Sequence, residues 1–213
     1  MTFADENFDQ LSKTSYEKQF LLHGATPEGV YWVGSERQEL RFQLLLKAIF
    51  EKNCLDNISI ADVGCGYGAL ADYINKTLHN KKLRYFGYDI SERLIGQCND
   101  NISYSWASFK VGKYPHKQVD HCIMSGTYNL AMTNSIQEWE DYIFQCLNAC
   151  WQQTRISVIF NLQIAPISYI SNGKIFYANK KRTLVKCKSL YGPTTIVQHP
   201  SLTKDAMFIV KKS

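Results

Sequence analysis

The chain has 213 residues, of which 45% are hydrophobic and 20% are charged, a composition typical of a globular domain with a sizeable core. Its net charge of +5 is mild and does not by itself indicate a nucleic-acid partner. No apolar run approaches the roughly 20 residues that cross a bilayer. Residues 1–10 contain acidic but no basic side chains, unlike a secretory signal or a transit peptide. We therefore expect one domain over residues 1–213, located in the cytoplasm and not in contact with a membrane.

Seven cysteines are scattered along the chain, and their odd number argues against a disulfide framework. They are Cys54, Cys65, Cys98, Cys122, Cys146, Cys150 and Cys187. Cys146 and Cys150 stand one helical turn apart, but no second pair with metal-ligand spacing accompanies them. We interpret the cysteines as reduced thiols of the core and expect no metal site.

The N-terminal quarter of the chain is predicted to be helical. Residues 1–24 carry apolar side chains at loosely helical intervals, which predicts one or two short amphipathic helices. Residues 23–34 contain three glycines and one proline and form a predicted loop that includes Trp32. An amphipathic helix then runs from Ser35 to Ile49. We expect residues 1–50 to form a helical lid segment, and residues 51–213 to form the core.

In the core, strand patterns alternate with helix patterns, which predicts an α/β fold. The predicted strands are 58–63, 83–89, 102–108, 119–124, 155–162, 194–199 and 206–211, and the predicted helices are 69–79, 91–99, 135–151 and 179–191. Residues 163–178 are predicted to be irregular. The repeated units indicate a Rossmann-like, doubly wound, mostly parallel sheet in a three-layer α/β/α arrangement. The last two strands are joined by a link too short for a parallel crossover, so the terminal strand is predicted to be antiparallel.

A glycine-rich turn follows the first predicted strand. Gly64, Gly66 and Gly68 alternate with Cys65 and Tyr67, and a helical pattern begins directly afterwards. Glycines let the backbone adopt conformations that side chains forbid, and they let a ligand lie against the main chain. The following helix would point its free N–H groups at that ligand. The pattern predicts a ligand-binding turn at this strand end.

An acidic residue ends the second predicted strand. Asp89 follows Gly68 by 21 residues, close to the roughly 20-residue interval at which an acidic side chain binds ribose hydroxyls in nucleotide-binding βαβ units. The alternative is a tight turn with a solvated Asp89 that caps the helix starting near Ser91.

Two motifs carry a resemblance to a known family. Asp-Val-Gly-Cys-Gly-Tyr-Gly, residues 62–68, resembles the first motif of class I S-adenosylmethionine-dependent methyltransferases, and Gly-Tyr-Asp-Ile-Ser, residues 87–91, resembles the second. Further positions, among them Thr26-Pro27, Ser125-Gly126 and Glu138-Trp139, are similar to small bacterial members of unassigned substrate. A nicotinamide dinucleotide enzyme would instead carry Gly-x-Gly-x-x-Gly, which places its third glycine one position later.

The resemblance implies S-adenosylmethionine as cofactor and a set of residues that bind it. In the family, the glycine turn lies beside the methionine part, the acid after the second strand binds both ribose hydroxyls, and the end of the third strand lies beside adenine. The implied cofactor-binding residues are Asp62, Gly64, Cys65, Gly66, Asp89, Ile90, Ala107, Ser108, Phe109, Ser125 and Gly126. Family members often carry an acidic residue where this chain has Ser108, so the adenine contact departs from the pattern.

The acceptor site is less readable than the cofactor site. Trp32, Tyr128 and Asn129 are the candidate substrate-binding residues, and for Tyr128 and Asn129 a turn with a packed ring is the alternative. Residues 10–34, with Tyr16 and His23, and residues 163–178 are expected to form a lid. No catalytic residue can be named, since methyl transfer depends mainly on positioning.

We therefore expect transfer of a methyl group to an oxygen or nitrogen atom of a small molecule. The fourth strand end lacks the prolines of nucleic-acid amino methyltransferases, which argues against adenine or cytosine amino groups as acceptors, and nucleic acid is not the expected partner. Two alternatives stay open. One is an RNA or protein methyltransferase that uses the basic residues 180–188, and the other is a non-catalytic protein that binds S-adenosylmethionine.

Overall fold

The computed structural model describes residues 3–50, 57–78 and 82–212. Its helices are α1 Phe3–His23, α2 Ser35–Phe50, α3 Ala69–Thr77, α4 Glu92–Asn101, α5 Ile136–Gln152 and α6 Lys180–Tyr191, with short 3₁₀ turns at Glu28–Val30 and Pro200–Leu202. Its strands are β1 Ile58–Val63, β2 Leu83–Asp89, β3 Ala107–Val111, β4 Val119–Met124, β5 Thr154–Ala165, β6 Tyr169–Ser171, β7 Ile175–Asn179, β8 Thr194–Val197 and β9 Asp205–Lys211.

The strands form one twisted sheet in which β3, β2, β1, β4 and β5 lie side by side and parallel. The chain runs outward from β1 to β3 and then returns to β4 on the other side of β1. The order of the strands therefore reverses between β1 and β4, and ligands of open α/β sheets bind at the carboxyl ends of the strands beside such a point.

On the far side of β5, β9 is antiparallel to both of its neighbours, β5 and β8. The predicted antiparallel strand is thus present at the end of the chain, but it lies between two strands and not at the edge of the sheet.

Two apolar layers hold the helices on opposite faces of the sheet. Helices α2, α3 and α4 pack on one face, where Leu45 meets strand residues such as Ile60. Helices α5 and α6 pack on the other, where Trp139 meets Phe160. All four of these side chains are at most 2% exposed. The predicted three-layer, Rossmann-like α/β fold is confirmed.

Residues 163–178 form regular structure, so the prediction that they are irregular is wrong. Strand β5 continues to Ala165, and β6 and β7 form a hairpin whose stacked rings of Tyr169 and Tyr177 lie 4.7 Å apart. Asn172 and Gly173 form the turn with φ of 48° and 64°. Asn-Gly between strand-forming residues is a strong hairpin signal because both positions need positive φ, and the sequence carried that signal.

We expect Gly173→Ala to lower the free energy of unfolding by about 1–2 kcal/mol, since an L side chain is strained in the left-handed region. Gly96→Ala is the matched control. Gly96 lies within α4, and a Cβ there meets nothing within 4 Å, so the same substitution should raise stability by up to about 1 kcal/mol. Urea unfolding of both variants measures the two effects. If both substitutions changed the free energy of unfolding in the same direction, the result would contradict the assigned turn.

The third strand begins later than the predicted 102–108, and that prediction is wrong. Ile102 caps the end of α4, and its N–H donates to the carbonyl of Cys98. Tyr104 and Trp106 stack with their ring centroids 5.2 Å apart. The side chains of Ile102, Tyr104 and Trp106 are compatible with a strand, but in the structure these residues form the end of α4 and an aromatic stack.

The six described cysteines are buried free thiols, while Cys54 lies outside the described residues. Within residues 3–50, 57–78 and 82–212, no helix is long and apolar enough to cross a membrane. The same residues contain no cluster of three or more His, Cys, Asp or Glu side chains that could hold a metal ion.

Candidate active site

The glycine turn adopts backbone conformations that only glycine reaches easily. Gly64, Gly66 and Gly68 have φ of 76°, 58° and 87°, and a Cβ at Gly64 would lie only 2.7 Å from the hydroxyl oxygen of Thr127. The N–H groups of Gly64 and Cys65 both donate to the carbonyl of Tyr88, at 2.7 and 3.0 Å. The turn is thereby fixed to the end of β2.

Asp89 joins the two motifs directly. Its carboxylate accepts hydrogen bonds from the N–H groups of Gly66 and Ser91, each at 3.0 Å. The residue is 9% exposed, and burial raises the pKa of its carboxyl group against the effect of these backbone donors. The hydroxyl of Ser91 caps α4 by accepting from the N–H of Leu94. Asp89 is therefore buried beside the turn, unlike the solvated cap of the alternative reading.

A cleft lies over the carboxyl ends of β1, β2 and β4. Including the space at its mouth, its volume is about 1020 Å³, at the upper end of the range for small-molecule sites. The structure brings together in its lining most of the residues named from the sequence. These are Asp62, Gly64, Cys65, Gly66, Asp89, Ile90, Ser125 and Gly126, together with Trp32 and Tyr128.

Three of the named cofactor residues lie elsewhere. Ala107, Ser108 and Phe109 are inside β3, paired with residues 85–87 of β2, and they do not line the cleft. The Phe109 ring packs beneath β2, only 2.5 Å from where a Cβ of Gly87 would stand. The cleft is lined at this strand end by Gly112 and Lys113. Because β3 starts later than predicted, it also ends later, at Val111. Gly112, directly after it, was the sequence signal for this strand end.

Helix α1 closes one side of the cleft through Ser12, Lys13 and Tyr16. Asp9 fixes this helix by accepting from the ammonium group of Lys113 and from the hydroxyl of Tyr142, both at 2.6 Å. These contacts span more than 100 residues, so no local pattern indicates them.

Helix α5 adds apolar lining below the cleft, which the sequence analysis did not assign to the site. The residues concerned are Trp139, Tyr142 and Cys146. In contrast, His23 is exposed and lines neither the cleft nor the cavity beside it.

A second cavity adjoins the cleft. Both are lined by Tyr16, Val30, Trp32 and Gly126, which form the wall between them. The Trp32 ring lies against Gly126, where a Cβ would be 3.3 Å from the ring. The guanidinium group of Arg41 lies 4.3 Å from the centroid of that ring. The second cavity has a volume of about 610 Å³, its open side included.

Tyr128 and Asn129 hold the loop after β4 in place. The hydroxyl of Tyr128 is directed into the core and donates to the Met124 sulfur at 3.4 Å, and the residue is 3% exposed. The side-chain oxygen of Asn129 accepts from the N–H of Gln163 at 2.9 Å. Tyr128 lines the cleft and Asn129 lines the second cavity, but the Tyr128 hydroxyl and the Asn129 side-chain oxygen are engaged in structural contacts.

Two polar groups in the cleft wall are arranged for a ligand. The Ser125 hydroxyl is buried and has no hydrogen-bond partner among the described residues, which is rare in folded proteins and calls for a partner such as a ligand. Asp62 accepts a hydrogen bond from the Tyr85 hydroxyl, and burial raises its pKa to about 7. The residues present thus fit a polar, nucleoside-containing molecule.

The chain was compared with known proteins in sequence and in structure. No family model matches the chain. It is 26% identical over 173 residues to the Mycobacterium tuberculosis protein named "Putative methyltransferase Rv1506c", and the match covers 76% of this chain and 97% of that protein.

Solved structures share the fold. The magnesium protoporphyrin IX methyltransferase of Synechocystis PCC 6803, solved with bound S-adenosylmethionine, has a TM-score of 0.66 at 11% identity, covering 100% of this chain and 98% of that chain. An S-adenosylmethionine-dependent methyltransferase of Leishmania major has a TM-score of 0.65 at 10% identity, covering 94% and 83%.

At these identities the solved structures establish the fold alone. The sequence relative is named a methyltransferase, and in this chain the two motifs meet in one cleft at the point where strand order reverses. In its fold, its two motifs and this cleft, the chain is therefore similar to the class I S-adenosylmethionine-dependent methyltransferases.

Proposed function

We propose that the protein transfers a methyl group to an oxygen or nitrogen atom of a small molecule held in the second cavity. One observation carries this proposal: the cleft and the second cavity share a wall formed by Tyr16, Trp32 and Gly126. When bound, S-adenosylmethionine supplies an electrophilic methyl carbon on a sulfonium sulfur, so an acceptor lone pair forms the new bond while the carbon–sulfur bond breaks. Such a reaction needs the two centres within roughly 3–3.5 Å.

The cleft residues have distinct proposed roles. Asp89 would bind the ribose hydroxyls, and the main chain of Gly64–Gly66 would accommodate the methionine part. Asp62 would bind the ammonium group and Ser125 a polar atom near the sulfonium end. The adenine would lie beside Ile90 and Gly112, with the contact to residues 107–109 replaced by the actual end of β3.

The pH dependence of cofactor binding tests the role of Asp62. Because its pKa is about 7 in the free protein, Asp62 must lose a proton to bind an ammonium group at lower pH. The amino group of the cofactor stays charged well below its own pKa of roughly 7.7–8.0. Affinity should therefore fall about tenfold per pH unit between pH 6.5 and 5.5, and Asp62→Asn should bind more weakly with a flat profile. A wild-type profile as flat as that of the variant would contradict this role.

We also propose that residues 1–50 act as a lid on a single domain. The ion pair of Lys113 with Asp9 and the packing of Trp32 on Gly126 support this, since both hold the N-terminal segment over the cleft. From residues 163–178, Gln163 and Ile175 line the second cavity. The buried free thiols are compatible with a reducing compartment, so we propose a cytoplasmic location.

The basic surface of α6 gives less support to an RNA or protein acceptor. Arg182 pairs with Glu140 at 3.2 Å and Lys186 with Asp141 at 3.6 Å, so part of its charge is compensated by α5. Residues 180–188 line neither the cleft nor the second cavity. RNA binding that weakens steeply with salt would favour this alternative.

Calorimetry with S-adenosylmethionine, S-adenosylhomocysteine and NAD tests the cofactor, and we expect the first two to bind and NAD not to bind. Release of S-adenosylhomocysteine over a metabolite panel and over RNA then tests transfer. Cofactor binding without turnover of any acceptor would favour a non-catalytic role.

A further inference from the structure

The second cavity carries an unbalanced positive charge. Its ionisable lining consists of Arg37, Arg41 and the phenols of Tyr16 and Tyr31, and none of its lining residues is acidic. Arg41 forms a buried ion pair with Asp205. Arg37 is exposed, and among the described residues no carboxylate lies within ion-pair distance of it. The charge of Arg41 is therefore compensated, whereas that of Arg37 is not.

The two arginines are placed so that the charge of each disfavours the charged form of the other. They stand four residues apart on α2, so their side chains lie on the same face of the helix, where like charges repel. Burial lowers the pKa of Arg41, Asp205 opposes this shift, and the charge of Arg37 adds to it. An anion between residues 30–33 and α2 would relieve this repulsion, and Arg can bind carboxylate and phosphate groups in a bidentate manner.

Apart from Asn129 and Gln163, the remaining lining of the cavity is mostly apolar. It includes Tyr31 and Val33, which are 40% and 79% exposed, and also Leu130 and Ile175. Leu130 and Ile175 are held together, because they form a β-bridge and the N–H of Ala131 donates to the carbonyl of Lys174 at 2.6 Å. The apolar lining residues, Val33 and Ile175 among them, form a slot that suits an apolar body.

We infer that the methyl acceptor is a small molecule with an anionic group on an apolar body, with Arg37 binding the anion and the slot between Val33 and Ile175 holding the body. The acceptor atom would then face the shared wall at Trp32 and Gly126. This inference rests on the proposed function, because it assigns the acceptor of that same site.

A paired panel tests the anionic group. Hydroxy- and amino-substituted benzoates and phenylacetates are compared with their neutral carboxamides, and aryl phosphates form a third arm. Binding is measured by calorimetry on protein saturated with S-adenosylhomocysteine, and turnover is measured with S-adenosylmethionine. We expect at least one anion to bind about tenfold more tightly than its neutral partner, the effect of one charge-assisted contact. The carboxylate and phosphate arms separate the two kinds of anion.

Two matched variants test Arg37 itself. Arg37→Gln should remove the preference for the anion and leave the affinity for S-adenosylhomocysteine unchanged. Arg93→Gln removes the same charge from an exposed position on α4 that lines neither cavity, and it should keep the preference. Equal binding of anions and carboxamides, a preference that survives in Arg37→Gln, or no binding by any anion would overturn the inference. Anion binding that depends on Arg37 but is never followed by turnover would uphold the anion site and count against the proposed transfer.

Discussion

Replacing Asp89 by asparagine is expected to lower the affinity for S-adenosylmethionine about a hundredfold. The two hydrogen bonds that we propose from the ribose hydroxyls to the ionised Asp89 carboxylate would be weakened, and each is worth about 1.5 kcal/mol or more. A loss of about 2.7 kcal/mol corresponds to a factor of a hundred in affinity. The asparagine has the same shape, and its single oxygen can still accept from Gly66 or Ser91, so the turn should persist. Calorimetry on the wild type and the variant measures the difference.

Asp120→Asn is the matched control for this result. Asp120 also lies on a parallel strand and accepts a backbone N–H, that of Ser59 at 2.8 Å, but it stands near the start of β4 and lines neither cavity. Its substitution should leave cofactor affinity within about twofold, as expected for a site away from the ligand. Unaltered affinity in Asp89→Asn would remove this residue from the site, and equal losses in both variants would indicate a general effect of destabilisation.

The strands next to the point where strand order reverses were predictable because two local signals coincide there, an apolar run and a motif or loop that ends it. The bounds of β1, β2 and β4 agree with the prediction, since each is an apolar run that ends in a motif or a loop. The start of β3 was not predictable in the same way. Tyr104 and Trp106 suit a strand by type, yet they follow the end of α4 and stack on each other. Only the tertiary environment distinguishes the two states.

The candidate site divides along the same line. The residues after β1 and β2 were identifiable because glycine spacing and a following carboxylate are local features. Lys113 and Tyr142 were not identifiable, because their contact with Asp9 joins α1 to distant parts of the chain. The two arginines of the second cavity are spaced as on any amphipathic helix, and their role depends on Asp205 at the other end of the sequence. Long-range pairing of charges leaves no periodic signal in one sequence.

Arg41→Met is expected to lower the free energy of unfolding by about 3–5 kcal/mol, the usual effect of leaving one partner of a buried ion pair without the other. The side chains of Arg41 and Asp205 are 10% and 6% exposed. In the variant, the Asp205 carboxylate keeps the Asn161 amide as a donor at 3.0 Å but has lost its counter-charge. Loss of Arg41 also removes the group that packs on Trp32, so the wall between the two cavities should weaken as well. Urea unfolding at pH 7.5 measures the loss.

Three further measurements identify the buried charge as the cause. Arg155→Met removes the partner of Asp120 in an ion pair whose arginine is 47% exposed, and it should cost no more than about 1 kcal/mol. Asp205→Asn in the Arg41→Met background should recover stability, because a neutral amide is less costly to bury than an unpaired carboxylate. If the single variant fails to fold, the double variant should still fold.

Burial already raises the pKa of Asp205 against the effect of Arg41. Without Arg41 the folded state should bind a proton more readily than the unfolded state, so the deficit relative to wild type should shrink as the pH falls from 7.5 to 5. A deficit that equals that of Arg155→Met, or that stays constant over this pH range, would show that the stability of this region does not depend on the buried pair.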